Sequence, residues 1–191
     1  MPHKTSFCGT LPGEKMKNSS NPLAIQSQNR TFTALETLLA ARKYHDITVG
    51  MICHKAEIDR RTFYRYFENK EDVLASYFDR LFDEYTEQMA RAGSAQPLDF
   101  IRLFFVFWGN CHGELFIALI QQGLLNQAFN GKKQYLKAIG RQMDRILGRT
   151  STDYELSFRA GGLVNALALW ISRGQQETPD EIAAIIAGIL H

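Results

Sequence analysis

The sequence predicts an all-α protein of about nine helices. Apolar residues recur at the three- and four-residue spacing of buried helix faces along most of the 191 residues. Residues that cap or open helices precede most of these apolar segments. No segment keeps the strict alternation of a half-buried strand. Together these three observations favour a purely helical fold without an internal repeat.

The composition limits the class of protein. With 45% hydrophobic and 22% charged residues, the chain buries the core of one compact domain or two small ones, which excludes a wholly disordered chain. Every apolar run stops well short of the roughly 18 to 20 residues that cross a bilayer, and no signal-peptide core stands at the start. We therefore expect a cytoplasmic protein without a membrane segment. Because the three cysteines are odd in number and far apart, neither a disulfide framework nor a zinc site is expected.

Composition and charge divide the chain into three parts. Residues 1–20 hold turn-forming residues and no apolar periodicity, which predicts a disordered leader, with Met16 as an alternative physiological start. Residues 21–75 are predicted to form a small domain and residues 76–191 a larger one. Residues 1–70 carry 11 Lys and Arg against 6 Asp and Glu, whereas residues 71–191 carry 11 against 14. This difference indicates that only the first half meets a polyanion, with chance asymmetry as the alternative.

Start and stop signals set the helix boundaries. A side-chain oxygen before each early helix is placed to accept amide hydrogens that lack a partner inside the helix. In the small domain the predicted helices run from 22 to near 43, over 49–56, over 60–67 and from 70 to Gly93, capped in order by Asn21, Thr48, Asp59 and Asn69. In the larger domain they span 97–111, 114–127, 130–148, 153–172 and 179–190, the last capped by Thr178.

The two short helices have the spacing of a helix-turn-helix, whose second helix enters the major groove of double-stranded DNA. Arg60 and Arg61 stand in the first turn of that second helix, where an arginine fork reaches O6 and N7 of guanine. The alternative is that both arginines belong to a solvated helix face. The neighbouring groups suited to phosphate oxygens are Thr62, Tyr64, Tyr66 and Lys70. The aromatic residues expected in the core are Phe63 and Phe67.

Residues 48–74 read TVGMICHKAEIDRRTFYRYFENKEDVL. This stretch resembles the DNA-binding signature of the tetracycline-repressor (TetR) type of transcriptional regulator, because its TFYRYF-x-NKE-x-VL run combines helix caps, core residues and phosphate contacts. The resemblance covers residues 28–75, about a quarter of the chain. The rest of the chain agrees with the family only in its length and its helical character.

The resemblance implies roles for individual residues. Arg60 and Arg61 occupy base-reading positions, and the residues implied as phosphate contacts are Thr48, Thr62, Tyr64 and Lys70. Two positions depart from the family. Glu57 stands where glycine is common, and a positive φ there costs of order 1 kcal/mol, so a slightly reshaped turn is expected. Arg61 stands where a small residue is common, and its target, a base or a phosphate, is left open.

The larger half contains an aromatic cluster, which the resemblance implies as the lining of a ligand cavity: Phe100, Phe104, Phe105, Trp108 and Phe116, with Phe107 and Phe129 beside them. A plain aromatic core is the alternative for each residue. Cys111, His112 and Glu114 stand close together, but no second pair at metal-ligand spacing supports them, so no metal is expected. No phosphate-binding glycine loop or Gly-x-Ser-x-Gly motif occurs. We expect neither an enzyme nor a cofactor.

The last two predicted helices carry more apolar residues than one small domain needs to cover itself. We expect them to form a symmetric four-helix dimer interface whose residues are buried between two chains rather than within one: Leu163, Leu167, Trp170, Ile171, Ile185 and Ile189. Gly161 and Gly162 weaken the first of these helices, a cost that a close helix approach offsets.

The sequence therefore predicts a homodimeric, sequence-specific regulator of transcription that binds a palindromic operator in double-stranded DNA. Repression that is released by a small-molecule ligand in the larger half is the mode expected. The alternative is a helical interaction protein or coactivator that keeps the scaffold and acts through protein contacts. The sequence leaves the ligand, the operator and the sign of regulation open.

Overall fold

The computed structural model describes residues 21–93, 96–124 and 135–189. Within these ranges the chain forms nine α-helices and no strand, which confirms the all-α prediction. The predicted leader, Met16, Phe129, Leu190 and the adjoining parts of two predicted helices, over 125–127 and 130–134, lie outside the described residues.

Five helical segments make up the N-terminal part. They are α1 (Pro22–Ala41), a 3-10 turn (Tyr44–Asp46), α2 (Val49–Ala56), α3 (Arg60–Tyr66) and α4 (Lys70–Ala92). Each predicted cap is present: Asn21, Thr48, Asp59 and Asn69 accept the amide hydrogens of Leu23, Met51, Thr62 and Asp72. Gly93 ends α4 with a φ of 58°, in the left-handed region that glycine adopts at little cost.

The larger half contains α5 (Pro97–Phe105), a π turn (Val106–Cys111), α6 (Gly113–Gln121), α7 (Tyr135–Leu147), α8 (Asp153–Ser172) and α9 (Pro179–Ile189). Thr152 and Glu155 form a capping box at the start of α8. Thr178 and Glu181 bond reciprocally at the start of α9, as the cap prediction requires.

The predicted continuous helix over 97–111 is wrong in one respect, since α5 gives way to the π turn after Phe105. A π turn accommodates one extra residue, which changes the direction of the side chains that follow. Phe107 and Trp108 are consequently both buried. Gly109 lies in this turn against Trp170, and a Cβ at this position would overlap the Trp170 ring. The close approach of α8 therefore requires glycine at this position.

One continuous core joins the two halves. α1 packs against α2, α4 and α6, while α5 packs against α9 and α7 against α8. The Phe32 ring of α1 stacks on the Tyr77 ring of α4 with 5.0 Å between centroids. The predicted domain boundary at 75 falls inside α4, which runs unbroken through both halves and so fixes the small domain to the larger one.

Within the described ranges, no single helix has both the length and the apolar character to cross a membrane. Residues 97–111 combined with α6 would meet those two criteria, but this pair is bent by 80°.

Candidate nucleic-acid interface

The turn between α2 and α3 is closed by backbone hydrogen bonds around Glu57. The amides of Glu57 and Ile58 donate to His54 and Cys53 at 3.2 and 3.0 Å. Glu57 has φ 52° and ψ 47°, so the turn keeps the left-handed conformation that glycine adopts freely and is not reshaped as the sequence predicts. Arg30 of α1, which the sequence did not single out, donates from Nη2 to Glu57 Oε2 at 2.6 Å and to the Glu57 carbonyl at 3.2 Å. These contacts hold the turn despite its backbone strain.

α3 begins at a strong cap. Asp59 Oδ1 accepts the Thr62 amide hydrogen at 2.6 Å, and the Thr62 hydroxyl donates to the same carboxylate. These bonds hold the pKa of Asp59 below its usual range. Phe63 and Phe67 are buried, as predicted, and they pack 5.6 Å apart between ring centroids. The short helix is thereby fixed at its start and along its inner face.

The outer face of α3 presents cations and an aromatic hydroxyl. Arg61, Tyr64 and Arg65 are all exposed and lie at i, i+3 and i+4, which places them on one face. Arg65 was not predicted from the sequence, although its position four residues after Arg61 places it on the same helix face. Arg60 is exposed too and leans over the first turn of α2, where a Cβ on Gly50 would lie 3.2 Å from Arg60 Nη2.

The candidate phosphate contacts differ in their surroundings. Thr48 is exposed, and its Oγ1 accepts the Met51 amide hydrogen at 3.2 Å. The hydroxyl hydrogen of Thr48 takes no part in that bond. Thr62 is half-buried and already bonded to Asp59. Tyr66 is half-buried and packs against the core. Thr48 and Tyr64 are thus the more accessible hydroxyls of the predicted set.

Lys70 makes contacts that the sequence did not indicate. Its Nζ donates to the carbonyl oxygens of Tyr44, His45 and Ile47 at 2.7, 3.3 and 2.9 Å. The same ammonium lies 4.5 Å from the centroid of the Tyr44 ring. An ammonium has three hydrogens, so all of them are engaged within the chain. The structure places Lys70 as a clamp on the turn before α2, and its phosphate contact stays a prediction.

The aromatic residues predicted to line a ligand cavity pack as core. Phe100, Phe104, Phe105, Trp108 and Phe116 are all buried. Edge-to-face contacts join Phe104 to Phe105 and Trp108 to Phe116, with centroids 5.9 and 5.8 Å apart. Phe100 borders an apolar cavity of about 10 Å³ between α5, α7 and α9, which holds no more than a water molecule. Their ligand-binding role stays a prediction.

The predicted dimer-interface set is partly wrong. Leu163, Leu167, Trp170 and Ile171 are buried within a single chain, with Leu167 at 0% and Trp170 at 2% exposure. They form the inner face of α8, where the Trp170 ring lies 5.4 Å from the Phe105 ring and its Nε1 donates to the Glu177 carbonyl at 2.9 Å. The predicted Ile185 and Ile189 are exposed. The large apolar side chains left exposed on α8 and α9 are Tyr154 at 89%, Phe158 at 82%, Leu169 at 51%, Ile185 at 52% and Ile189 at 72%.

Comparison with known proteins supports the interpretation of the N-terminal part as a helix-turn-helix. Residues 33–77 match the family of bacterial regulatory proteins called the tetR family. The chain is 38% identical over 61 residues to DhaS of Lactococcus lactis subsp. lactis, the HTH-type transcriptional activator of the dhaKLM operon, covering 32% of this chain and 33% of DhaS. It is 30% identical over 83 residues to the HTH-type transcriptional regulator EthR of Mycolicibacterium smegmatis, covering 44% of this chain and 38% of EthR. The matched region thus spans little more than a third of these relatives.

The similarity of fold extends further along the chain. A crystal structure of a putative TetR-family transcriptional regulator from Syntrophomonas wolfei superposes with a TM-score of 0.68 over 87% of this chain and 93% of that one. The two are 15% identical, so this likeness concerns the fold alone.

Proposed function

We propose that this chain, a member of the tetR family of bacterial regulatory proteins, is a homodimeric transcriptional regulator that binds a specific sequence in double-stranded DNA. The observation that carries the proposal is the outer face of α3, where Arg61, Tyr64 and Arg65 are exposed together. A protein that acted only through protein contacts would have no need of this basic face beside a capped helix-turn-helix. DNA is therefore the partner that fits.

α3 is the recognition helix in this proposal. A helix of seven residues enters a major groove about 12 Å wide, and its first turn faces the base edges. Arg61 is placed to donate twice to a guanine, and Arg60 reads beside it or lies against the backbone. Arg65, one turn further on, extends the same face. Thr48, at the start of α2, and Tyr64 contact phosphates.

The dimer forms through the exposed faces of α8 and α9. Tyr154, Phe158 and Leu169 follow one another at helical spacing along the outer side of α8, and Ile185 and Ile189 continue the apolar surface on α9. Gly161 and Gly162 lie between Phe158 and Leu169, and a Cβ on either would meet nothing within 4 Å. A second chain can approach closely there. A two-fold axis through this surface requires a palindromic operator with half-sites one or more helical turns apart.

Regulation follows from a second conformation. A small molecule that opens the apolar core beside Phe100, between α5, α7 and α9, would favour one conformation of the dimer over the other. Its differential affinity for the two then sets the change in operator affinity. We propose repression with release by this ligand. Because the relative DhaS is an activator, a reporter assay decides the sign for this chain.

Selection from random DNA tests the proposal. The full chain should enrich a palindromic sequence and shift it on a gel as a dimer. The double variant Arg61→Ala, Arg65→Ala should lose that enrichment. Arg91→Ala is the matched control, because this exposed arginine lies 21 residues along α4 from Lys70, about 30 Å away at 1.5 Å per residue. Enrichment of no sequence by the wild-type chain would overturn the proposal.

A further inference from the structure

Gln122 joins the end of α6 to the end of α1, although about 80 residues separate them in the chain. Its Nε2 donates to the carbonyl oxygens of Leu39 and Arg42, each at 3.1 Å. Its Oε1 accepts the Tyr44 amide hydrogen. Only this orientation of the side-chain amide serves all three partners, because carbonyl oxygens require its NH₂ group and a backbone N–H requires its oxygen. One side chain thus makes three bonds to a single segment.

The backbone of Gln122 is itself rigidly placed. The next residue, Gly123, has φ 67°, and its amide donates to the Ile120 carbonyl at 3.1 Å. The Leu124 amide donates to the Leu119 carbonyl at 2.8 Å. These two bonds form a Schellman motif, which ends α6 and satisfies its last carbonyls. Leu124 is buried, as such a motif favours. Gln122 therefore moves only together with the end of α6.

The segment that Gln122 holds leads directly into the helix-turn-helix. Leu39 lies in the last turn of α1, where carbonyl oxygens lack partners within the helix. Tyr44 opens the 3-10 turn, and its carbonyl accepts Lys70 Nζ at 2.7 Å while its amide serves Gln122. Lys70 also holds the carbonyl of Ile47, the residue before the Thr48 cap of α2. Gln122 and Lys70 thus both form hydrogen bonds to the connection between α1 and α2.

We propose that Gln122 is a positioning residue for DNA recognition, through which the larger helical half sets the direction of α2 and α3. The inference rests on the DNA-binding function proposed above. Through Gln122, a displacement of the end of α6 reaches Tyr44, and the start of α2 at Thr48 lies only four residues further along the chain. The rest of the larger half influences the recognition helix along this route.

Gln122→Met tests the proposal, since methionine matches the length of glutamine and removes all three bonds. Hydrogen exchange should quicken at the amide of Tyr44 and at those of Met51 and Ile52 in the first turn of α2. Affinity for the selected operator should fall roughly fivefold or more, as expected for the loss of bonds of ordinary strength. Affinity for random DNA and the sedimentation coefficient should stay unchanged. Gln121→Met, which changes the exposed neighbouring glutamine, is the control and should behave as wild type.

Gln122→Glu is the second variant, for the case that the methionine variant does not fold. It keeps the acceptor for Tyr44 and loses both donors, so exchange should quicken at Met51 and operator affinity should still fall. Wild-type operator affinity in a folded variant, or unchanged exchange at Met51 and Ile52, would overturn the proposal. If the wild-type chain selects no DNA sequence, the DNA-binding function fails, whereas the exchange rates still show whether Gln122 positions α2.

Discussion

Arg30 on α1 donates both to the carboxylate of Glu57, at 2.6 Å, and to its carbonyl oxygen, at 3.2 Å. Glu57 is the left-handed residue in the turn between α2 and α3. The first helix therefore supports the one strained position of the helix-turn-helix where a glycine would adopt the conformation freely. Because the Glu57 side chain is exposed and the Arg30 side chain is only partly buried, the ion pair contributes only modestly to stability.

Glu57→Gly removes the strain and the ion pair together, so its effect depends on Arg30. In an Arg30→Met background, where the pair is already absent, glycine should raise the free energy of unfolding by about 1 kcal/mol. In the wild-type background the gain should be smaller, because an exposed pair worth about 0 to 1 kcal/mol is lost at the same time. Urea denaturation of the four proteins measures both gains. Equal gains in the two backgrounds would show that the Arg30–Glu57 ion pair does not stabilise the turn.

Arg61→Ala and Arg65→Ala should separate base reading from backbone contact. Loss of a bidentate contact to guanine costs roughly 1 to 3 kcal/mol and relaxes the preference at one operator position. Loss of a phosphate contact weakens binding to every sequence alike and lowers the salt slope by about one unit. We expect the first result for Arg61, measured by affinity for operators with single base changes. A uniform loss across those operators would reassign Arg61 to the DNA backbone.

Lys70→Met should mainly destabilise the fold. Three carbonyl oxygens lose a charged donor, and a hydrogen bond to a charged group is worth roughly 1.5 to 3 kcal/mol. Thermal unfolding should therefore occur at a lower temperature. The slope of operator affinity against salt tests the phosphate contact separately, and it should stay the same where the three carbonyl oxygens keep the ammonium away from the DNA backbone. A slope lower by about one unit would support the phosphate contact that the family resemblance implies.

Phe158→Glu and Leu167→Glu should affect different levels of organisation. Phe158 is exposed in the single chain, so a charge there should separate the dimer and abolish operator binding while the helical content remains. Leu167 is fully buried within the chain, so a carboxylate there should unfold it at a cost of several kcal/mol. Sedimentation and circular dichroism distinguish the two outcomes. A dimeric Phe158→Glu protein would place the interface elsewhere.

His112 should give the protein a pH-dependent stability. Burial, reinforced by the nearby charge of Arg80, lowers the pKa of His112 to about 4, and its ring lies 4.9 Å from that of Phe107. The unfolded chain binds this proton near the ordinary value of about 6.5, so it binds more protons than the folded chain between these two values. Stability is therefore complete above about pH 6.5 and should fall by up to about 3 kcal/mol as the pH drops to about 4.

Denaturation curves across this pH range measure the effect of His112. His112→Gln should lack this part of the loss, whereas His54→Gln, which replaces an exposed histidine on α2, should keep the wild-type profile. Parallel profiles for His112→Gln and the wild-type chain would remove His112 as the cause.

Local signals in the sequence were sufficient for the helix starts. Asn21, Thr48, Asp59 and Asn69 each bond to an amide two or three residues ahead, so the partners of a cap are present in any short stretch of chain. The exposed arginines of α3 could be predicted for the same reason, because periodicity alone places a residue on a helix face. The same periodicity also predicts that Arg65 lies on this face.

The contacts of Lys70 and Gln122 could not be predicted in this way. Their partners lie 23 to 26 and 78 to 83 residues away, and no spacing along the chain indicates which carbonyl oxygens an ammonium or amide will meet. The need for glycine at position 109 in the π turn has a similar origin, because Trp170 of a distant helix occupies the space beside it. Each of these features depends on helices that come together only in the folded chain.

The sequence by itself determined the helical class, the caps, the helix-turn-helix and its exposed arginines, since these depend on residues within one or two turns of each other. The tertiary structure alone decided which of the two apolar faces of α8 is inside. Both faces carry large apolar residues, so periodicity does not rank them, and Leu167 and Trp170 are buried because α6, α7 and the π turn pack on that side. Phe158 and Leu169 stay exposed because no element among the described residues covers them, and the proposed dimer contact therefore lies on that face.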